Sequence, residues 1–324
     1  MAPLVSICCN TYNHERYVRS ALDGFVNQKT DFEYEVLVYD DASNDNTPHI
    51  IKEYEKKYPE LIKPVYQTVN QASRGLKPIR QNRERSKAKY VAVCEGDDYW
   101  VDEKKLQKQI TYMEEHPDCT FCFTNARTEI EGVVEKQRMV PWNKYSKLKK
   151  GQTDFDFGEL ALLGFIPTAT FVFRNGNVFP EMPDGAFTGD EYVKLAMTSY
   201  GYAHFIDEIT AVYRRGVANS STTLWENDTK RYDNNCNRYY LLYDGLKEFT
   251  DHKYDGQIDF LVCQLKIKQN YRKGDAKALR EIVKSGEIKK LKCGNGYSRM
   301  VLGLKCRHYN MFNRIKRMLK KGKT

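Results

Sequence analysis

The chain has 324 residues, of which 41% are hydrophobic, 13% aromatic and 29% charged. That is enough apolar material for a sizeable core, and it excludes a disordered tail, a collagen-like chain and a disulfide mini-protein. The formal net charge of +9 is uneven: residues 288–324 hold twelve Lys or Arg and no acid, which leaves the preceding body slightly acidic and argues against a nucleic-acid groove running through it. No apolar run approaches the roughly 18–20 residues of a spanning helix. The first seven residues lack the basic and long apolar regions of a signal peptide, so a cytosolic chain is expected. Nine cysteines scattered through apolar runs, among them Cys8, Cys9, Cys94 and Cys122, read as buried reduced thiols, with no disulfide framework or structural zinc expected.

In chain order, Leu4 to Cys9 is an apolar, β-branched run ending in the polar turn Asn10-Thr11-Tyr12-Asn13. A helix over His14–Gln28 follows, with Tyr17, Val18, Ala21, Leu22, Phe25 and Val26 on one face. The strand Glu35–Tyr39 runs into Asp40-Asp41-Ala42-Ser43, and Thr47-Pro48 predicts the cap and first turn of a helix reaching Tyr58. A third strand, Tyr90–Cys94, ends in Glu95-Gly96-Asp97-Asp98. Strand and helix alternating with near-continuous apolar strands predict a Rossmann-like, mostly parallel sheet sandwiched by helices. Further along, a helix follows Trp100, a strand covers Thr120–Thr124, residues 131–152 read as a loop, and Thr168–Arg174 reads as a buried strand. Beyond Tyr213 only helices are expected, which divides the chain into residues 1–215 and a helical, basic extension over 216–324.

Three polar strand ends converge on one edge, the place where open α/β sheets bind ligands. Asp97 and Asp98 are hard oxygen ligands suited to Mg²⁺ or Mn²⁺ completed by substrate phosphate. Taken alone, adjacent acids more often cap a turn. Asp41 is placed to accept from a nucleobase or ribose, and Tyr12 to pack on a base, whereas Asp45-Asn46-Thr47 reads as a helix cap.

The ordered set VSICCNTYNHERYVRSALDGFVNQ, EVLVYDDASNDNT and KYVAVCEGDDYW resembles the family 2 glycosyltransferases of the GT-A fold, over about residues 3–215. The resemblance implies a nucleotide-sugar donor, usually UDP-linked, bound by Thr11, Asn13 and Asp41. It implies Asp97 on the ribose or metal and Asp98 on the metal, with the spacer of a strict DxD missing here. It also suggests Arg80 or Asn82 near the base or sugar. The same resemblance marks Asp190 as the general base, with Glu191 its competitor, and Arg214 beside the diphosphate; Gly216 stands where relatives often have histidine. Taken together these imply direct displacement with inversion, delivering a hexose to a glycan or lipid-linked saccharide in bacterial surface-polysaccharide synthesis. A sugar-nucleotidyltransferase is the enzyme alternative, although residues 1–20 contain none of the glycines of its usual signature. A non-catalytic polyanion-binding module is the alternative from another class.

In the tail, Leu304, Met311, Phe312, Ile315, Met318 and Leu319 fall on one helical face and Arg314, Lys316, Arg317, Lys320 and Lys321 on the other. That pattern predicts an interfacial helix over 300–324 on an anionic membrane, and hence a peripheral location on the inner face of the plasma membrane.

Overall fold

A computed structural model of the protein describes residues 3–75, 78–140, 151–177, 179–218 and 220–286, together with Ile288. The first half runs β1 (Val5–Thr11), α1 (Val18–Val26), β2 (Tyr34–Asp40), α2 (Thr47–Lys57), β3 (Ile62–Tyr66), α3 (Pro78–Glu84) and β4 (Tyr90–Val93). β1 pairs in parallel with β2 on one side and β4 on the other, and β2 pairs with β3 at the edge. β3 was not expected, because Lys63-Pro64 interrupts its apolar run; an edge position tolerates that proline. α1 starts at Val18 and not at His14, since the His14 and Glu15 N–H groups are given to Thr47 Oγ1 and Asp45 Oδ2 in the neighbouring loop. For the same local reason Asn46, not Thr47, holds the cap position of α2.

The second half runs β5 (Tyr99–Trp100), α4 (Lys105–Glu115), β6 (Cys119–Ile130), β7 (Val133–Arg138), β8 (Asp154–Phe155), α5 (Phe157–Leu163), β9 (Val172–Arg174), α6 (Asp190–Thr198) and β10 (Tyr202–Arg215). The sheet order is β3-β2-β1-β4-β9-β6-β10-β5, with β7 on β6 and β8 on β10. β9 is antiparallel to both neighbours and so joins the parallel four-stranded half to the parallel pair β6 and β10. Two expectations change here. Thr168–Thr170 is a 3₁₀ turn that precedes a strand of only three residues, and part of 131–152 is the outer strand of a β6–β7 hairpin. The chain continues as α7 (Ser221–Asn227), α8 (Thr229–Phe249), α9 (Asp255–Lys273) and α10 (Ala276–Lys284). The basic segment 300–324 and its expected interfacial helix lie outside the described residues. Among those described, no helix is long and apolar enough to cross a membrane.

Successive strand residues feed opposite faces. Ile7, Cys9, Val36, Val38 and Ala92 meet α1, α2 and α4 on one side, where Phe25 packs edge-on against Trp100 at 4.9 Å. Cys8, Leu37, Val91 and Val93 meet α5, α6 and α8 on the other. Each such fully buried aliphatic or aromatic side chain contributes about 1.5–3 kcal/mol. Cys119 and Cys122 have a Cys-x-x-Cys spacing that the sequence reading passed over. Both are buried free thiols, and burial pushes Cys119 up to about 12 and Cys122 likewise upward, as expected of inert core thiols.

One charge lies inside this core. The Lys105 ammonium donates to Gln109 Oε1 at 2.7 Å and sits 4.3 Å from the centre of the Trp100 ring, and burial pushes it down to about 7. The folded value lies below the unfolded one of about 10, so the unfolded chain holds the extra proton between them. Stability therefore rises with pH across that window, and below it the cost of the buried charge is complete. Lys105→Met is expected to exceed wild type in stability by roughly 2–4 kcal/mol at pH 6, with the gap narrowing towards pH 10. Chemical denaturation at both pH values checks this; a gap that does not change with pH removes Lys105 as its source.

Candidate active site

The C-terminal ends of β1 and β2 are locked to each other before any ligand arrives. Thr11 Oγ1 and Ser43 Oγ both donate to Asp40, at 3.0 and 2.5 Å, while Ser43 Oγ accepts the Asn13 N–H and Asn13 Oδ1 accepts the Asn44 N–H. The left-handed backbone at Asn13 (φ 55°) and Ala42 (φ 62°) is held by these bonds. Thr11 and Asn13 thus build the loop. Asp41 is buried, and its two oxygens accept from the Gln71 and Ala72 N–H groups at 2.6 and 3.0 Å, fixing the 3₁₀ turn Ala72–Arg74 against the strand end. Tyr12 is half-buried and makes no hydrogen bond among the described residues, which leaves its ring and hydroxyl free.

Asn82 is corrected from a ligand-facing residue to an internal clasp. It is fully buried, its amide donates to Leu37 O at 2.8 Å and Cys9 O at 3.3 Å, and it accepts from Arg85. Arg80 is exposed on α3 and paired with Glu84 at 2.8 Å, outside the Asp97–Asp98 turn.

After β4 the chain makes a turn that only glycine allows at its second position. The Gly96 N–H donates to Asn10 O at 2.9 Å, and a Cβ there would lie 2.5 Å from Thr11 Cγ2. Asp97 and Asp98 follow, 8% and 2% exposed. Asp98 Oδ1 accepts the Arg214 N–H at 2.8 Å. Burial first, and then the Asp97 and Glu95 charges, hold the Asp98 carboxyl well above the usual range. Glu95 is exposed to solvent with protein packed around its carboxyl, and burial, then Asp97 and Asp190, push it up to about 8. His14 completes the group, with Nε2 at 4.0 Å from Asp97 Oδ2 and Nδ1 buried without a partner.

Arg214 has contacts other than those expected. Its guanidinium pairs with Glu129 at 3.1 Å, donates to the Asp97 carbonyl at 3.0 Å and lies 4.3 Å from the Tyr99 ring centre. It latches the diacid turn to β6, and so acts as a positioning residue.

Asp190 and Glu191 open α6, and their environments differ. Glu191 is paired at 2.8 Å with the buried Lys194, which also donates to Gly164 O. Asp190 accepts the Glu191 N–H at 2.9 Å, and burial followed by the Glu191 charge raises its carboxyl. The Asp190 charge is among those that raise Glu95, which puts the start of α6 within electrostatic reach of the β4 turn. α8 adds an aromatic wall beside them: Tyr239 stacks on Phe187 at 4.3 Å, and both Tyr239 and Tyr243 are pushed up by burial and the two carboxylates.

Glu95 and His14 were quoted within motifs in the sequence but not singled out; the buried glycine turn between Glu95 and Asp97 is the signal for the first. Three carboxylates crowded at residues 95, 97 and 98, with one latched guanidinium beside them, fit a divalent cation chemically. Among the described residues no cluster of three or more His, Cys, Asp or Glu forms a cage by itself, so substrate oxygens have to complete such a shell.

The profile of Glycosyl transferase family 2 matches residues 6–175, which spans β1 to the residue after β9. An uncharacterised Mycobacterium tuberculosis protein, Rv1520, is 34% identical over 231 residues, covering 68% of this chain and 64% of its own length. The candidate teichuronic acid biosynthesis glycosyltransferase TuaG of Bacillus subtilis is 27% identical over 69% of this chain and 84% of its own length. Among solved structures, S. aureus TarS 1-349 in complex with UDP superposes with a TM-score of 0.52 at 15% identity, covering 95% of this chain and 92% of that one, a likeness of fold. With the profile covering more than half of its length, this chain belongs to glycosyl transferase family 2.

Proposed function

We propose that the protein is an inverting glycosyltransferase that moves a hexose from a UDP-linked donor to a glycan or lipid-linked saccharide in cell-surface polysaccharide synthesis, working at the inner face of the plasma membrane. The observation that carries the reading is two carboxylate groups within electrostatic reach of each other: the Glu95–Asp98 cluster, suited to a metal and a diphosphate, and Asp190, which makes no ion pair among the described residues. The names of relatives support the substrate class, since TarS was solved with UDP and with UDP-GlcNAc and a Pyrobaculum calidifontis mannosyltransferase with GDP-Man and Mn2+.

In this reading Tyr12 packs on the base and the locked Thr11–Asn13 and Asp41 loops shape its slot. Asp97 and Asp98 would hold the divalent cation, whose chemistry is to neutralise charge on the departing diphosphate. Arg214 keeps the diacid turn in place. The acceptor hydroxyl attacks the anomeric carbon as its bond to the diphosphate oxygen breaks; Asp190 takes the hydroxyl proton, and the nucleoside diphosphate leaves on the opposite face. Burial and the neighbouring Glu191 charge raise the Asp190 carboxyl, which makes it a better base than an ordinary aspartate.

Calorimetric titration of UDP against ADP, GDP and CDP, with and without Mn²⁺, tests the proposal. UDP is expected to bind at least tenfold more tightly than the others, and only with metal. Absence of nucleotide binding under every condition refutes it.

A further inference from the structure

A cavity of about 670 Å³ lies on the α3 side of the sheet, over Val93 of β4, and reaches Thr188, two residues before Asp190. That volume is in the range of small-molecule sites. Its polar lining is mismatched. Arg83 is half-buried with its guanidinium carbon 3.8 Å from the centre of the Phe179 ring, and it makes no hydrogen bond or ion pair among the described residues. Its neighbours are used up: Arg80 pairs with Glu84, and Arg85 donates to Val38 O, Asn82 Oδ1 and Lys63 O. Glu181 and Asp184 line the cavity too, but both are exposed, and the charges that act on Arg83 are Glu84 and Arg80. Asn177, on the same lining, has a buried Nδ2 without a partner.

A half-desolvated guanidinium that cannot lose its proton is costly unless an anion meets it. Lying over a ring, it keeps its in-plane N–H edge for a planar acceptor, and one unmatched charge plus one amide donor suits a monoanionic carboxylate better than a dianionic phosphate. We propose that this cavity takes a sugar-borne carboxylate, with Arg83 as its bidentate partner, so that the enzyme selects a uronic acid over the matching neutral hexose. The inference rests on the glycosyltransferase reading above, and the lining by Cys8 of β1 and Val91 and Val93 of β4, the strands whose ends carry the proposed donor loops, assigns the carboxylate to the donor sugar.

The test compares wild type, Arg83→Met and Arg83→Lys with UDP-glucuronate and UDP-glucose, and in a second arm with uronate-ended and neutral acceptors. Wild type is expected to favour UDP-glucuronate in kcat/KM by about 10- to 100-fold. Arg83→Met is expected to lose that preference with UDP affinity unchanged, and Arg83→Lys to keep part of it. A preference that follows the acceptor instead keeps the site and overturns its assignment to the donor. Equal use of all substrates by wild type and Arg83→Met, with UDP bound normally, overturns the inference and leaves the glycosyltransferase reading standing. Should UDP fail to bind at all, thermal shift with free glucuronate against glucose decides the cavity separately: a rise in wild type but not in Arg83→Met supports it, and no rise refutes it.

Discussion

Asp190→Asn is expected to lower kcat by about 10²–10⁴-fold while leaving the affinity for UDP and metal within about twofold. The amide keeps an oxygen to accept the Glu191 N–H, so the first turn of α6 survives and only the ability to take a proton is lost. Glu191→Gln serves as the comparison. Its carboxylate is neutralised by Lys194, and the substitution leaves a buried ammonium half-satisfied, so it is expected to act mainly on stability. The measurement is initial rate and UDP titration on both variants. A larger kcat loss in Glu191→Gln than in Asp190→Asn would reverse the assignment of the base.

Asp98→Asn gives the second large effect, and in the opposite balance. The amide oxygen can still accept the Arg214 N–H, so the turn is retained, but the charge that a metal needs is gone. Metal-dependent UDP binding is expected to weaken at least tenfold and turnover to fall by about 10²–10³. The melting temperature is expected to hold or rise, because Asp98 is buried against two like charges, Asp97 and Glu95. Calorimetry with Mn²⁺ and a thermal melt on the same sample check both halves. Loss of binding together with a lower melting temperature would place Asp98 in the framework instead of the site.

What could be read from the sequence divides along a physical line. β1, β2 and β4 are near-continuous apolar runs, because both of their faces are covered, and the Asp40-Asp41 and Asp97-Asp98 turns were legible as the polar ends of such runs. β3 was not, since an edge strand needs apolar residues on fewer positions and Lys63-Pro64 fits there. Asp190 as the base came from a family likeness, and no local pattern encodes the approach of α6 to the β4 turn. Arg214 is expected beside the diphosphate from the family likeness, and its latch is hidden in the sequence because Glu129 is 85 residues away and is set beside it by the register of β10 on β6. Asn82 was misread for a similar reason: a polar side chain on a short helix looks available until packing buries it against β1 and β2.

The reversed strand β9 also bears on how the chain reaches this structure. Tyr90 pairs with Arg174 and Phe121 with Phe173, so the two parallel blocks are not hydrogen-bonded to each other until a segment made nearly 80 residues after β4 slips between them. Until then β4 and the inner edge of β6 are open strands, able to pair wrongly or with another chain. Closure over such sequence distances is slow relative to local helix formation. In an emerging chain, β4 and β6 therefore keep those edges open until Val172–Arg174 has been made, the interval in which aggregation is most readily seeded there.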